Sequence, residues 1–363
     1  MKVLFVDDEP HVLEGIERSL FTLDCDWDVQ FASSGAAALK RLEDWSADIV
    51  VSDMRMPGMD GAELLTRVKQ RWPDTLRVIL SGYTEQEAAF RAMHVSHQFL
   101  AKPCQGGDLV EALNRLIIMR DLVPSRQLRE MLGAIAELPP SPRIYLRLRH
   151  LLEQDSSGTG IIASVMEQDP ALSSTVLKLA NSTFFRRSHP IVSVHAAVMR
   201  LGVSLLHNLV LTAECYPPQP GVDVEQLRER SLLASLLVRK LAPSGIDVEC
   251  CVSAALLAHV SALLPKVVQA AQDEGGAVSP AQIAAYLLGI WGLPLPIVYT
   301  VARHQRPLEH EPQRFGAIGV VHAAIALADS SEPDFAYLEQ VGMAAQWPSW
   351  LQIVEVLRHD QQA

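Results

Sequence analysis

Five short β-rich apolar runs punctuate the first third of the chain, and their spacing restricts the fold more than any other feature of the sequence. They are Val3–Val6, Asp28–Ala32, Ile49–Val51, Arg77–Leu80 and Gln98–Ala101, separated by amphipathic stretches of helical period. Parallel neighbours need crossover connections. Five such units therefore predict an α/β domain over residues 1–120, a doubly wound five-stranded parallel sheet with helices on both faces. Ligands of open sheets of this kind bind beyond the carboxyl ends of the strands.

From residue 121 helical spacing replaces the strand pattern. Leu128 to Leu138 reads as a linker helix closed by Pro139-Pro140-Ser141-Pro142. Beyond it the spacing of Ile161-Ile162 with Val165-Met166, and of Leu172 with Val176-Leu177 and Ala180, gives helices broken at Asp169-Pro170. Asp169 reads as an N-cap with proline at the first helical position, and Asn181-Ser182 as the terminating turn. Leu232–Leu241, Val252–Leu264 and Gly316–Ala328 are apolar on more than one face, as expected of helices central to an all-α bundle. The expected organisation is a domain at 1–120, a linker at 121–137, a helical domain at 138–330 and a helical extension at 331–363.

Charge and composition exclude several classes. Lys+Arg number 31 against 42 Asp+Glu in 363 residues, a formal net charge of −11 that repels phosphate backbones. With no basic stripe to override that field, nucleic acid is not the expected partner. Charged residues at 20% and apolar residues at 49% describe a folded chain rather than a disordered one. Ala281 to Ala302 carries no charge and has the length of a membrane span. Its Trp291-Gly292-Leu293-Pro294-Leu295-Pro296 centre argues instead for two buried helices joined by a turn, without membrane insertion. The apolar run at the amino terminus is too short for a signal peptide before Asp7-Asp8-Glu9. Cys25, Cys104, Cys215, Cys250 and Cys251 form no CxxC pair and read as core or incidental thiols of a cytoplasmic protein.

Asp7-Asp8 follow the first run and Asp53 the third, and in a doubly wound sheet those strands are neighbours. Two like unit charges ~4 Å apart cost about 4 kcal/mol at an effective dielectric of ~20. Three converging carboxylates thus call for a cation, and an oxygen-only, half-open set suits Mg²⁺. Ser81 follows the fourth run and Lys102-Pro103 the fifth, which brings a hydroxyl and an ammonium to the same edge. A nucleophilic carboxylate, a divalent cation and a lysine are the parts of phosphoryl transfer to aspartate. Singly, each has another reading: Asp8 as the cap of a helix starting near Pro10, Asp53 as a turn former, Lys102 as solvated surface.

Together, Asp7-Asp8, Asp53 within Asp53-Met54-Arg55-Met56-Pro57-Gly58-Met59-Asp60-Gly61, Ser81, Phe99 and Lys102-Pro103 make residues 1–120 resemble the receiver domain of two-component response regulators, a flavodoxin-like fold. The resemblance implies that Asp53 is the phosphoacceptor. It implies Mg²⁺ held by Asp8, Asp53 and the backbone carbonyl of Arg55, with Asp7 acting through water. Lys102 would pair with the phosphoryl group, Ser81 would hydrogen-bond to it, and Phe99 would be the switch aromatic. Phe99 lacks the hydroxyl of a tyrosine, so its switching rests on burial alone. Tyr83 is a polar neighbour of Ser81 or a packing residue.

The segment from Asp169-Pro170-Ala171-Leu172 through Leu179-Ala180-Asn181-Ser182, with Ala196-Ala197-Val198-Met199-Arg200-Leu201-Gly202, resembles the HDOD domain, a relative of the HD phosphohydrolases. Leu138-Pro139, Trp291-Gly292-Leu293-Pro294 and Arg303-His304-Gln305-Arg306-Pro307 fit the same family. The resemblance implies a signalling output without the metal-site residues. Leu256-Leu257-Ala258-His259 stands where an HD enzyme carries its His-Asp pair, and Arg303-His304 where it carries two histidines. The adjacent His359-Asp360 lies near the end of the chain, a poor place to assemble a dinuclear site. The histidines His259, His304 and His322 read first as satisfied, partly buried core residues, and the alternative is a pocket whose candidate residues are His259, Arg303, His304 and Asp329, with His322 beside them.

The expectation is a response regulator, phosphorylated on Asp53 by a sensor histidine kinase, whose receiver controls an HDOD interaction domain toward an unidentified downstream protein. A homodimer, through the receiver's fourth and fifth helices or the linker helix, is the further expected partner. The alternatives are a metal-dependent HD-type phosphohydrolase acting on a nucleotide or cyclic dinucleotide, and a nucleotide-sensing output.

Overall fold

The computed structural model describes residues 1–23, 25–82, 95–102, 106–135, 138, 148, 151–152, 158–181, 189–202, 206 and 222–362, with 81–82, 101, 106, 225 and 359–362 described for the backbone alone. Tyr83, Pro103, Cys104, Pro139 to Pro142, Ser182, Cys215 and the side chains of Ser81, His359 and Asp360 lie outside that description. The chain divides into two compact units, one formed mainly by Met1–Ala136, the other by Glu137–Ala180, His189–Leu288 and Leu293–Ala363.

The first unit is built on strands β1 (Lys2–Val6), β2 (Asp28–Ala32), β3 (Ile49–Asp53), β4 (Leu76–Gly82) and β5 (Gln98–Lys102). All pairings are parallel and the order is β2-β1-β3-β4-β5, so β1 and β3 are neighbours as the sequence requires. Val3 to Val6 and Ile49 to Val51 are buried along their whole length, the continuous apolar pattern of strands covered on both faces. Three strands run beyond the apolar runs that announce them. Asp53 and Lys102 are consequently the last residues of β3 and β5, and Ser81 the last but one of β4.

The described helices of this unit are α1 (Pro10–Thr22), α2 (Gly35–Asp44), α3 (Gly61–Arg71), α4 (Gly106–Arg120) and α5 (Arg126–Gly133). Helix α1 starts on Pro10, but its cap position is Glu9 and no side chain caps it. Asp8 is therefore not a helix cap. The linker helix α5 starts before Leu128 and ends before Leu138, because Ser125 Oγ accepts the Leu128 N–H at 3.2 Å and fixes the first turn there.

The second unit is helical where described: α6 (Thr159–Met166), α7 (Pro170–Asn181), α8 (Val194–Leu201), α9 (Val224–Leu241), α10 (Val248–Leu257), α11 (Pro265–Asp273), α12 (Pro280–Ile290), α13 (Leu295–Arg303), α14 (Pro307–His310), α15 (Ala317–Ala328), α16 (Phe335–Gln340) and α17 (Trp347–Gln362). Helix α7 begins as expected, with Asp169 Oδ1 accepting the Leu172 N–H at 2.9 Å. Helices α9, α10 and α15 pack on one another at the centre, and α17 packs on α9 and α15. The stacked rings of Phe315 and Trp350, 5.5 Å apart, join that last helix to the bundle. The uncharged stretch around Trp291 forms α12 and α13 with Gly292 at φ +78° between them. No single helix among the described residues is long and apolar enough to cross a membrane, and one pair bent by 75° meets the length and composition alone. Burial pushes the thiols of Cys250 and Cys251 up to about 12, which makes them unreactive core groups.

One glycine sets the position of the β3 end. Gly61 N donates to Met54 O at 2.9 Å, and a Cβ on Gly61 would lie 2.2 Å from the backbone oxygen of Asp53. Gly61→Ala is expected to destabilise the first unit by about 1–3 kcal/mol through this overpacking, measured by urea unfolding, even though alanine is the better helix former.

Candidate functional site

The carboxyl ends of β1, β3 and β5 bring Asp7, Asp53 and Lys102 together. Lys102 Nζ donates to Asp7 Oδ2 at 2.6 Å and also to Asp53 Oδ1. The remaining oxygens are fixed by the backbone. Asp7 Oδ1 accepts the Glu9 N–H at 3.0 Å, and Asp53 Oδ2 accepts the Arg55 N–H at 2.6 Å. Met54 N donates to Leu80 O at 3.0 Å, so the turn after β3 is held from β4 as well as from Gly61.

Asp7 is 1% and Asp53 8% exposed. Burial pushes the Asp53 carboxyl above its ordinary value; Lys102 counters the shift and Asp7 adds to it. Burial also opposes the charge on Lys102, but its bonds to Asp53 and Asp7 outweigh that and hold the ammonium above its usual value. The ion pair is thus the compensation for burying charge at this edge. Asp8 is half-buried beside the pair and makes no hydrogen bond or ion pair with the described residues.

One ammonium pairs with two carboxylates, Asp7 and Asp53, and Asp8 follows Asp7 in the chain. No group of three or more His, Cys, Asp or Glu side chains among the described residues is placed to hold a metal by itself. The donors present are hard oxygens, from Asp8, Asp53 and the Arg55 carbonyl, and Mg²⁺ needs only one or two carboxylates because it keeps several waters. The residues fit that ion. Phe99 is buried in β5 opposite Ile79 of β4, and the Ser81 backbone pairs with Ala101.

The second unit gathers a different cluster at the ends of its central helices. His259 follows α10, Asp329 follows α15, and His259 Nε2 lies 3.0 Å from Asp329 Oδ2. Ser231 of α9 approaches His259 Nδ1 at 3.5 Å. His304 donates from Nδ1 to Val301 O at 2.7 Å, and His322 donates from Nδ1 to His304 O at 2.8 Å while its Nε2 accepts the Asp334 N–H at 2.8 Å. His304 is pushed down to about 4, first by burial and further by His259 and His322. Burial lowers His322 as well. Arg303 does not join them: it is exposed, its guanidinium 4.8 Å over the Tyr299 ring. Asp329 Oδ1 is buried without a hydrogen-bond partner among the described residues. Ser231 was not among the expected residues, and its signal in the sequence was faint: serines at 231 and 235, about one turn apart in α9.

A family model of the response regulator receiver domain matches residues 3–114, and a model of the HDOD domain matches residues 138–274. The hydrogenase transcriptional regulatory protein HoxA of Cupriavidus necator is 32% identical over 117 residues, 32% of this chain and 24% of that protein. The C4-dicarboxylate transport transcriptional regulatory protein DctD of Pseudomonas aeruginosa is 29% identical over 212 residues, 54% of this chain and 44% of that protein. The chain thus spans less than half the length of these relatives. A response regulator receiver domain protein from Clostridium thermocellum is similar in structure, with 32% identity, TM-score 0.32, and coverage of 34% of this chain and 98% of its own.

The buried imidazole makes a pH prediction. His304 titrates near 6.5 when unfolded and near 4 when folded, so as pH falls through 6.5 the unfolded chain takes up a proton that the folded one refuses. Stability is full above that window and falls by about 3 kcal/mol across it. Urea unfolding at neutral pH and near pH 4 should show the loss in wild type, and a smaller one in His304→Asn.

Proposed function

We propose that this chain, a receiver domain followed by an HDOD domain, is a phosphorylation-controlled response regulator in which Asp53 takes a phosphoryl group from a sensor histidine kinase. The observation that carries the reading is the Lys102 ammonium bridging Asp7 and Asp53 at the carboxyl edge of the sheet. Phosphoryl transfer needs positioning and charge stabilisation more than covalent chemistry from the protein. A carboxylate oxygen of Asp53 attacks phosphorus, the phosphorus–nitrogen bond of the kinase phosphohistidine breaks, and the electron pair leaves with the imidazole. The poor hydration that raises Asp53 makes its carboxylate the stronger nucleophile. Lys102 then moves its bond from Asp53 Oδ1 to a phosphoryl oxygen, keeping its contact with Asp7. Asp8, Asp53 and the Arg55 carbonyl would hold Mg²⁺, which when bound offsets the charge of the incoming group. Ser81 and Phe99, on adjacent strands, are the switch pair that follows the new charge.

The output is an interaction role of the HDOD domain toward a downstream protein. Domain limits of 1–120, 121–137, 138–330 and 331–363 belong to this reading, and a homodimer is compatible with it. A metal-dependent phosphohydrolase is the second reading, and the His259–Asp329 contact with its unpartnered Oδ1 favours it. Against it stands the engagement of three imidazole nitrogens of His304 and His322 by backbone groups. Stoichiometric iron or manganese in the purified full chain, with diester hydrolysis, would decide for the second reading.

With acetyl phosphate and Mg²⁺, the wild-type chain should incorporate phosphate and Asp53→Asn should incorporate at least ~100-fold less, as removal of a nucleophile demands. Equal labelling of the two proteins would overturn the assignment, and chelation of Mg²⁺ should abolish labelling of the wild type.

A further inference from the structure

β4 carries near its amino end a charge that sheet interiors ordinarily exclude. Arg77 is 1% exposed. Its Nε donates to Val95 O at 2.7 Å, and Nη1 donates to Thr75 O at 3.0 Å and Pro73 O at 3.4 Å. Nη2 donates to Gly133 O at 2.6 Å and lies 2.9 Å from His97 Nε2. The backbone N–H of Arg77 goes to His97 Nδ1 at 3.0 Å, and the His97 N–H returns to Arg77 O at 2.7 Å. One guanidinium therefore gathers the turn before β4, the approach to β5 and the end of α5. Gly133 is the last residue of that helix, where the helix dipole places its negative end.

The rest of α5 is seated on the same edge. Arg129 Nε and Nη2 donate to Asp74 at 2.9 and 3.3 Å, and Arg120, which ends α4, donates to Asp74 at 3.0 Å. Leu128 and Leu132 are fully buried. A Cβ on Gly133 would lie 2.0 Å from Pro73 O, so the contact is too close for any side chain.

β4 carries Arg77 toward one end and Ser81 toward the other, and β5 runs from the residue after His97 to Lys102. We propose that Arg77 makes the linker helix a fixed part of the first unit and is the joint through which β4 and β5 act on the chain leading to the second unit. The hand-over rests on the phosphoacceptor reading above; the seating of the helix does not. A strand displaced at its carboxyl end moves a guanidinium whose bonds tolerate only a few tenths of an ångström. Its buried carbonyl partners, on Thr75 and Gly133, must follow it or be left unpaired, so the joint has discrete states.

The test is amide hydrogen exchange over residues 129–135 of the full chain in Mg²⁺, with and without acetyl phosphate, while intact mass reports labelling of Asp53. Wild type should protect this segment, and labelling should change its exchange by about tenfold. Gly133→Ala should raise exchange at least ~10-fold without acetyl phosphate, although alanine favours a helix, and should erase the response to labelling while Asp53 still labels. Arg77→Lys, which keeps the charge and loses the fork, should erase the response while keeping partial protection. Equal exchange in wild type and Gly133→Ala would overturn the seating. Exchange unchanged on labelling of wild type, or a response that survives both substitutions, would overturn the hand-over. If Asp53 does not label, the phosphoacceptor reading and its hand-over fall, and the comparison without acetyl phosphate still decides the seating.

Discussion

Lys102 places one positive charge between Asp7 and Asp53 where three strands of a parallel sheet end. Neither carboxylate is accessible enough to be neutralised by water alone, and burial raises Asp53 in spite of the lysine. The surrounding backbone follows from this requirement. The turn after β1 sends the Glu9 N–H to Asp7, the turn after β3 sends the Arg55 N–H to Asp53, and Gly61 has no side chain because the Asp53 carbonyl occupies its place. The lysine and the two backbone N–H groups are donors already aimed at this edge, so its charges are held without further reorganisation.

The strands were legible because burial on both faces writes continuous apolar runs, and the topology followed from the need for crossovers. Asp7, Asp53 and Lys102 were legible because strand ends can be counted. The linker helix starts ahead of its first apolar residue, Leu128, because the Ser125 hydroxyl, which carries no hydrophobic signal, sets the first turn. Arg77 is placed in its strand by the sequence, but its burial and its partners are not. A charge near the start of a strand looks like a solvated edge, and nothing local to residues 73 or 133 announces that they meet it.

The second unit shows the same boundary between what spacing conveys and what packing decides. The three central helices were apparent from their apolar faces, although the run Val252–Leu264 breaks after Leu257, and His322 within α15 lies together with His259, His304 and Asp329, which follow α10, α13 and α15. Arg303 and His304 are adjacent in sequence, yet consecutive helical residues point about 100° apart, and one is exposed while the other is buried. Each imidazole here is oriented by a backbone or carboxylate partner.

The HDOD family match ends at residue 274, but α15, which leads to Asp329, and α17, which covers α9 and α15, come after it. An expression fragment cut at that boundary would strip a whole wall from the bundle. It would leave His259 without its carboxylate and the apolar inner faces of α9 and α10 open to water. The smallest autonomous piece of this half is therefore set by Trp350 stacked on Phe315 rather than by the reach of the family signature.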